Sequence, residues 1–97
     1  MTKLISIRPS WLPSKKLVAY FRSNNGLLKK VHFGYRGADD YTITHNIDQR
    51  ERYRARHHKD LASGDPTRAG YLSYYILWGN NININTNISD YKERFNL

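Results

Sequence analysis

Four histidines, at positions 32, 45, 57 and 58, and the adjacent pair Asp39-Asp40 are the residues here whose types are open to catalysis or metal binding. His57 and His58 are neighbours, so on a helix they point about 100° apart and cannot share an ion as an i, i+4 pair does. The chain has no Cys, which removes thiolate nucleophiles, disulfides and Cys-ligated zinc. Asp39-Asp40 has the chemistry to hold Mg²⁺ beside a phosphate. In a loop near Gly34 and Gly37, however, adjacent acids more often form turns and helix ends. Gly34-x-x-Gly37 is too sparse for a phosphate loop, and no serine sits in a nucleophile elbow. No catalytic residue, metal ligand or cofactor is therefore assigned. No small-molecule ligand is expected, and a non-enzymatic role follows.

The cations carry a stronger signal. Lys3, Arg8, Lys15, Lys16, Arg22, Lys29, Lys30 and Arg36 all lie in residues 1–38, which hold no acid and carry the whole net charge of +8. Residues 39–97 balance eight bases against eight acids. A like-sign excess this concentrated repels itself and gains nothing for folding, so it suits an anionic partner or an acidic protein surface. Arg52, Arg56 and Lys59 form a second basic stripe on one side of a predicted helix. Trp11 between Pro9 and Pro13, together with Tyr71, Tyr74 and Trp78, supplies apolar groups suited to docking a partner.

The elements that must position these groups belong to one small domain, since 97 residues with 39% apolar content can bury only a modest core. Residues 1–15 are predicted as an extended basic arm, with a short strand possible between Lys3 and Arg8. Residues 16–97 are predicted as a single α+β domain, an antiparallel hairpin packed by about three helices. Leu17 to Phe21 and Lys29 to Phe33 flank Asn25-Gly26, the preferred pair for a type I′ turn. With that turn, Tyr20 faces Val31, Val18 faces Phe33, and Arg22 lies opposite Lys29 as an unfavourable like-charge pair. Gly34 to Thr44 reads as a loop.

Helices are predicted near 48–60, 66–78 and 87–95. The first opens on Asp48 and Glu51 as an acidic capping box and places Ile47, Tyr53, His57 and Leu61 on one face. Arg50 and Arg54 fall among those apolar positions, where they either snorkel to water or pair with Asp39 or Asp40. Ser63-Gly64 ends that helix, and Asp65-Pro66 opens the next with Asp as its cap. The second helix is apolar nearly all round, so it is either central or meets another protein through its tyrosines. Asn80 to Asn87 reads as a capped loop, and Asn87-Ile88-Ser89 matches a glycosylation sequon. The predicted core is Val18, Tyr20, Val31, Phe33, Tyr53, Leu72, Ile76, Ile88, Tyr91 and Phe95. No apolar run approaches the roughly 18 residues of a membrane span, and no signal-peptide pattern opens the chain.

From Lys16 onward the chain resembles a family of small uncharacterised proteins of nucleocytoplasmic large DNA viruses that infect algae and protists. The resemblance is carried by Val31-His32-Phe33-Gly34, Asp40-Tyr41-Thr42, Arg50-Glu51-Arg52-Tyr53 and Ala55-Arg56-His57. It continues through Asp65-Pro66-Thr67, Ala69-Gly70, Leu72-Ser73, Ile76-Leu77-Trp78, Asp90-Tyr91-Lys92 and Arg94-Phe95. It implies a small basic viral protein packaged in the virion, present in host cytoplasm or the viral factory during assembly. It implies no activity and no site.

Two roles fit these features. The first is a virion structural protein, a minor capsid or cement component. It would bind neighbouring virion proteins through its arm, basic hairpin and Tyr-rich helix. The second is nonspecific nucleic-acid binding, with the basic half on phosphates and no motif for reading bases.

Overall fold

The computed structural model describes residues 2–97. Strands β1 (Lys3–Pro9), β2 (Lys15–Arg22) and β3 (Leu28–Tyr35) form an antiparallel sheet in chain order. Helices α1 (Tyr41–Thr44), α2 (Ile47–His57), α3 (Ala69–Leu72) and α4 (Ile84–Arg94) follow. Together they make an α+β domain. The segment expected as an extended arm is largely the first strand of the sheet, over the stretch where a short strand was expected between Lys3 and Arg8. Its Ile7 pairs Ala19 and its Arg8 pairs Val18, with a register shift between Leu4 and Ser6.

The β2–β3 register differs by one residue from the Asn25-Gly26 expectation. Val18 lies opposite His32, Ala19 opposite Val31 and Tyr20 opposite Lys30. The turn explains the difference. Gly26 N donates to Ser23 O (3.0 Å), Ser23 N donates to Leu27 O (3.0 Å), and only Gly26 has positive φ, at 82°. This is a three-residue loop, Asn24-Asn25-Gly26, with glycine in the left-handed position. Arg22 consequently faces Leu28 on one side and Lys3 on the other, not Lys29.

A one-residue slip exchanges the two faces of a strand. Leu4, Ala19, Phe21 and Phe33 point to the helices and join Tyr41, Tyr71, Leu72, Ile76, Leu77, Trp78 and Tyr91 in the core. Val18 is fully buried but lies outside that cluster, on the opposite face, and Tyr20 beside it is only half-buried.

Helix starts were set by side chains other than those expected. Asn46, not Asp48, caps α2, its Oδ1 accepting from Gln49 N at 3.0 Å. Asp40 caps the short α1 inside the expected loop, accepting from Thr42 N at 2.9 Å. After α2 the chain tightens into a 3₁₀ turn over His58–Ser63, and Gly64 closes it at φ 67°. Asp65 does not cap a helix directly. It accepts from Thr67 N (2.9 Å) and Thr67 Oγ1 (2.7 Å), holding a turn that delivers the chain to α3 three residues later. Those two bonds hold its carboxyl below the usual carboxylate range. Its contribution is therefore present above about pH 4 and lost as pH falls through the depressed pKa. Asp65→Ala should lower stability by about 1 kcal/mol at neutral pH, as a lost cap does, and by less under acid conditions. Thermal melts at both pH values check this; an equal loss at both would assign the effect to the backbone.

The apolar helix is the central element. After α3 it widens into a π turn over Ser73–Leu77, with Trp78 N donating to Ser73 O at 3.0 Å. Leu77 closes on the sheet at Gly34, where a Cβ would sit 2.8 Å from Leu77 Cδ1 and the backbone has φ 77°. Trp78 stacks on Tyr53 (ring centroids 4.4 Å, 10° between planes). Arg54 donates to Trp78 O (3.1 Å) and Arg50 to Gly79 O (3.4 Å), so both guanidiniums bind orphan carbonyls at the end of this helix and pair with neither Asp39 nor Asp40.

Asn83 caps α4, accepting from Asn85 N and Thr86 N. Asn87 is buried at 2% exposure; its Nδ2 donates to Ile76 O (2.9 Å) and Asn81 O (2.8 Å), and its Oδ1 accepts from Asn81 N (3.1 Å). The sequon asparagine is therefore enclosed in the folded domain. Tyr91 is also almost wholly buried, donating to Pro66 O, and burial pushes its phenol far above the ordinary range. No helix among the described residues is long and apolar enough to cross a membrane.

Candidate functional site

The helical side packs on one face of the sheet through Leu4, Ala19, Phe21 and Phe33, and on the other face Val18 is buried while the cations around it are exposed. The pairing brings Lys3 beside Arg22, Arg8 beside Val18 and Val18 beside His32, and Tyr20 beside Lys30. Four cations from three strands thus share one face with Tyr20 and His32. No acid can neutralise them from within the sheet, because residues 1–38 contain none. Lys3, Arg8 and Arg22 make no hydrogen bond or ion pair among the described residues, and Lys30 Nζ lies 5.5 Å from the Trp11 ring centroid. The direct Lys3–Arg22 pair is destabilising unless an anion or solvent relieves it.

The other four cations of residues 1–38 are already engaged. Lys16 forms a nearly buried ion pair with Asp40 (2.7 Å). Lys29 points to the helix side and donates to Thr67 Oγ1 (2.9 Å). Lys15 Nζ sits 4.6 Å from the Tyr35 ring centroid. Arg36 donates to Ser10 O (2.7 Å) and Leu12 O (3.2 Å), pinning the β1–β2 turn. Arg52, Arg56 and Lys59 are exposed, on the helical side of the domain. Among the apolar candidates, Trp11 remains exposed at 58%, whereas Tyr71, Tyr74 and Trp78 are buried at 6–7% in the protein's own core. The three cannot serve as a docking surface in this fold; of the two readings of that helix, central or partner-facing, the central one holds.

A second concave region, a cleft of about 380 Å³, lies between the end of the hairpin and the helices. Tyr53 is sandwiched there between His57 (4.1 Å) and Trp78 (4.4 Å), and His57 Nδ1 meets Asp60 Oδ2 at 2.9 Å. Burial, followed by the Asp60 charge, raises the Tyr53 pKa. A His–Asp pair can move a proton, yet neither His57 nor Asp60 has a hydrogen-bonded nucleophile beside it. Among the described residues, no three His, Asp or Glu side chains gather as a metal site would require. The open cationic face is the better-built candidate.

Sequence reasoning identified Lys3, Arg8, Arg22 and Lys30 as binding residues and set His32 on the face of Lys30, but it put Tyr20 and Arg22 on the opposite, apolar face. The register slip hid their convergence, and a three-residue reading of Asn24-Asn25-Gly26 would have revealed it. A family model, described as a family of unknown function (DUF5754), matches residues 5–57, just over half of the chain and the stretch from β1 through α2. No curated protein and no solved structure matches.

Proposed function

We propose that this chain, which belongs to the DUF5754 family of unknown function, binds the phosphate backbone of nucleic acid on the open face of its sheet. The observation carrying this reading is the convergence of Lys3, Arg8, Arg22 and Lys30 on one face with no acidic partner. Such a surface focuses positive potential and releases counterions when it meets phosphates. Backbone contacts of this kind position a ligand without reading sequence, so binding would be largely nonspecific. In a virion or viral factory, the setting that the sequence resemblance implies, the genome would be the polyanion.

A virion structural role, docking on acidic neighbouring proteins, is the second reading. The edge strand β1 favours it, since among the described residues no further strand pairs with its outer side, where only Leu4 N is engaged, by Leu97 O (3.3 Å), and Ile5 at its register shift is 49% exposed. Two features first in its favour count against it now: the arm pairs with its own sheet, and the Tyr-rich helix is buried.

Salt dependence separates the two. Four phosphate contacts should give a log–log salt slope of about −3 on single strands, from about −0.7 per contact. Anisotropy titrations of a labelled oligonucleotide across several salt concentrations measure it. Absence of binding at low salt, or a flat slope, would sink the phosphate reading and leave the docking one.

A further inference from the structure

We infer that the ligand of the cationic face is single-stranded nucleic acid, with an unpaired base stacked on the Trp11 indole. The inference rests on the polyanion reading and adds the strandedness of the ligand. Its starting point is a mismatch between the backbone and the side chain at Trp11. The indole is 58% exposed, yet the turn carrying it is held by hydrogen bonds from several directions. Ser10 is buried; its Oγ accepts from Leu12 N (3.0 Å) and meets His32 Nδ1 (2.8 Å). Ser10 N donates to Lys16 O (3.0 Å), Lys15 N donates to Leu12 O (3.2 Å), and Arg36 grips the carbonyls of Ser10 and Leu12. Pro9 and Pro13 restrict the turn further.

Here the hydrogen bonds come from β2, β3 and Arg36, and they hold the ring in water. Holding a contact residue in place beforehand lowers the entropy lost on binding. The ring's surroundings indicate what it contacts. His32 meets it edge-on (4.7 Å, 88°), and the Lys30 ammonium lies 5.5 Å from its centroid. One nucleotide could therefore place its base on the indole and its phosphate by Lys30, with Arg8 and Arg22 available to neighbouring phosphates. Base–aromatic stacking tolerates any sequence because every base has a π-face. In a duplex those faces are stacked on one another, so a duplex engages the cations alone.

The test titrates wild type, Trp11→Ala and Trp11→Phe with an oligothymidylate, a duplex of equal length and heparin, at matched salt. Wild type should prefer the oligothymidylate, and binding should quench the Trp11 emission while buried Trp78 serves as the internal reference. Trp11→Ala should lose about tenfold or more on the oligothymidylate, by the usual worth of one stacked base. It should keep its duplex and heparin affinity and its salt slope, and Trp11→Phe should retain most binding. Unchanged oligothymidylate binding by Trp11→Ala would overturn the inference and leave the polyanion reading intact. Equal losses on all three ligands would also overturn it, because the turn would then be supporting the cations and not a base. Failure of wild type to bind any of the three, with binding to polyglutamate instead, would overturn both and point to an acidic protein partner.

Discussion

Replacing Arg8, Arg22 and Lys30 together by glutamate should reduce oligonucleotide and heparin affinity by about a hundredfold or more at low salt. It should also flatten the salt slope almost completely, since only Lys3 of the four converging cations remains. The three reversals remove six units from a net charge of +8. Stability should change little, because the replaced side chains are exposed and only Lys30 has a partner, the Trp11 ring, and such changes usually stay within about 0.5 kcal/mol. Arg22→Glu even turns the Lys3–Arg22 repulsion into an attractive cross-strand pair. The same reversal at Arg52, Arg56 and Lys59 is the matched control, with equal loss of charge on the helical side. Equal weakening in both triple variants would mean that net charge alone, and not the sheet face, governs binding.

Asn87→Leu should be the most damaging single change to the fold. Leucine fills a similar volume but leaves Ile76 O and the Asn81 amide and carbonyl without the partner that now satisfies them. Buried groups orphaned in this way cost about 1–3 kcal/mol each. A loss of about 3 kcal/mol is expected, equivalent to roughly 15 °C in melting temperature for a domain of this size. Denaturant and thermal unfolding both report it. A variant melting within a few degrees of wild type would show that water takes the place of the amide, and that the Asn-rich segment is a passive loop.

The sequence carried the fold class because the signals behind it are local. The β-branched and aromatic run Leu17 to Phe21, the left-handed glycines at turns, and the spacing of Ile84, Ile88, Tyr91 and Phe95 each reflect short-range geometry. Strand register was not legible, because Asn24-Asn25-Gly26 supports a two-residue and a three-residue turn, and only packing chooses between them. That choice exchanged the two faces of β2 while β3 kept its own. Arg22 joined Lys30 and His32 on the outer face, and Tyr20 and Val18 left the core cluster. The cap of α2 was missed for a related reason: Asn46 and Asp48 are both good caps, and the helix starts where Tyr41–Thr44 leaves room for it. Trp11 was identified from its prolines alone, but the hydrogen bonds that make it a fixed contact come from residues far along the chain. The burial of Tyr71, Tyr74 and Trp78 likewise depends on what surrounds the helix, which composition does not record.

The strands follow one another in chain order, so the contact surface is complete by Tyr35, while most of its mechanical support is encoded afterwards. The molecule is therefore divided lengthwise into the proposed binding face and a chassis. Under that proposal, variation in the later segment alters folding and lifetime without touching ligand preference, and variation in the solvent side of the first segment retunes preference without destabilising the whole. A chain that binds as proposed would drift toward new polyanions by exchanging a handful of surface side chains on an unchanged frame.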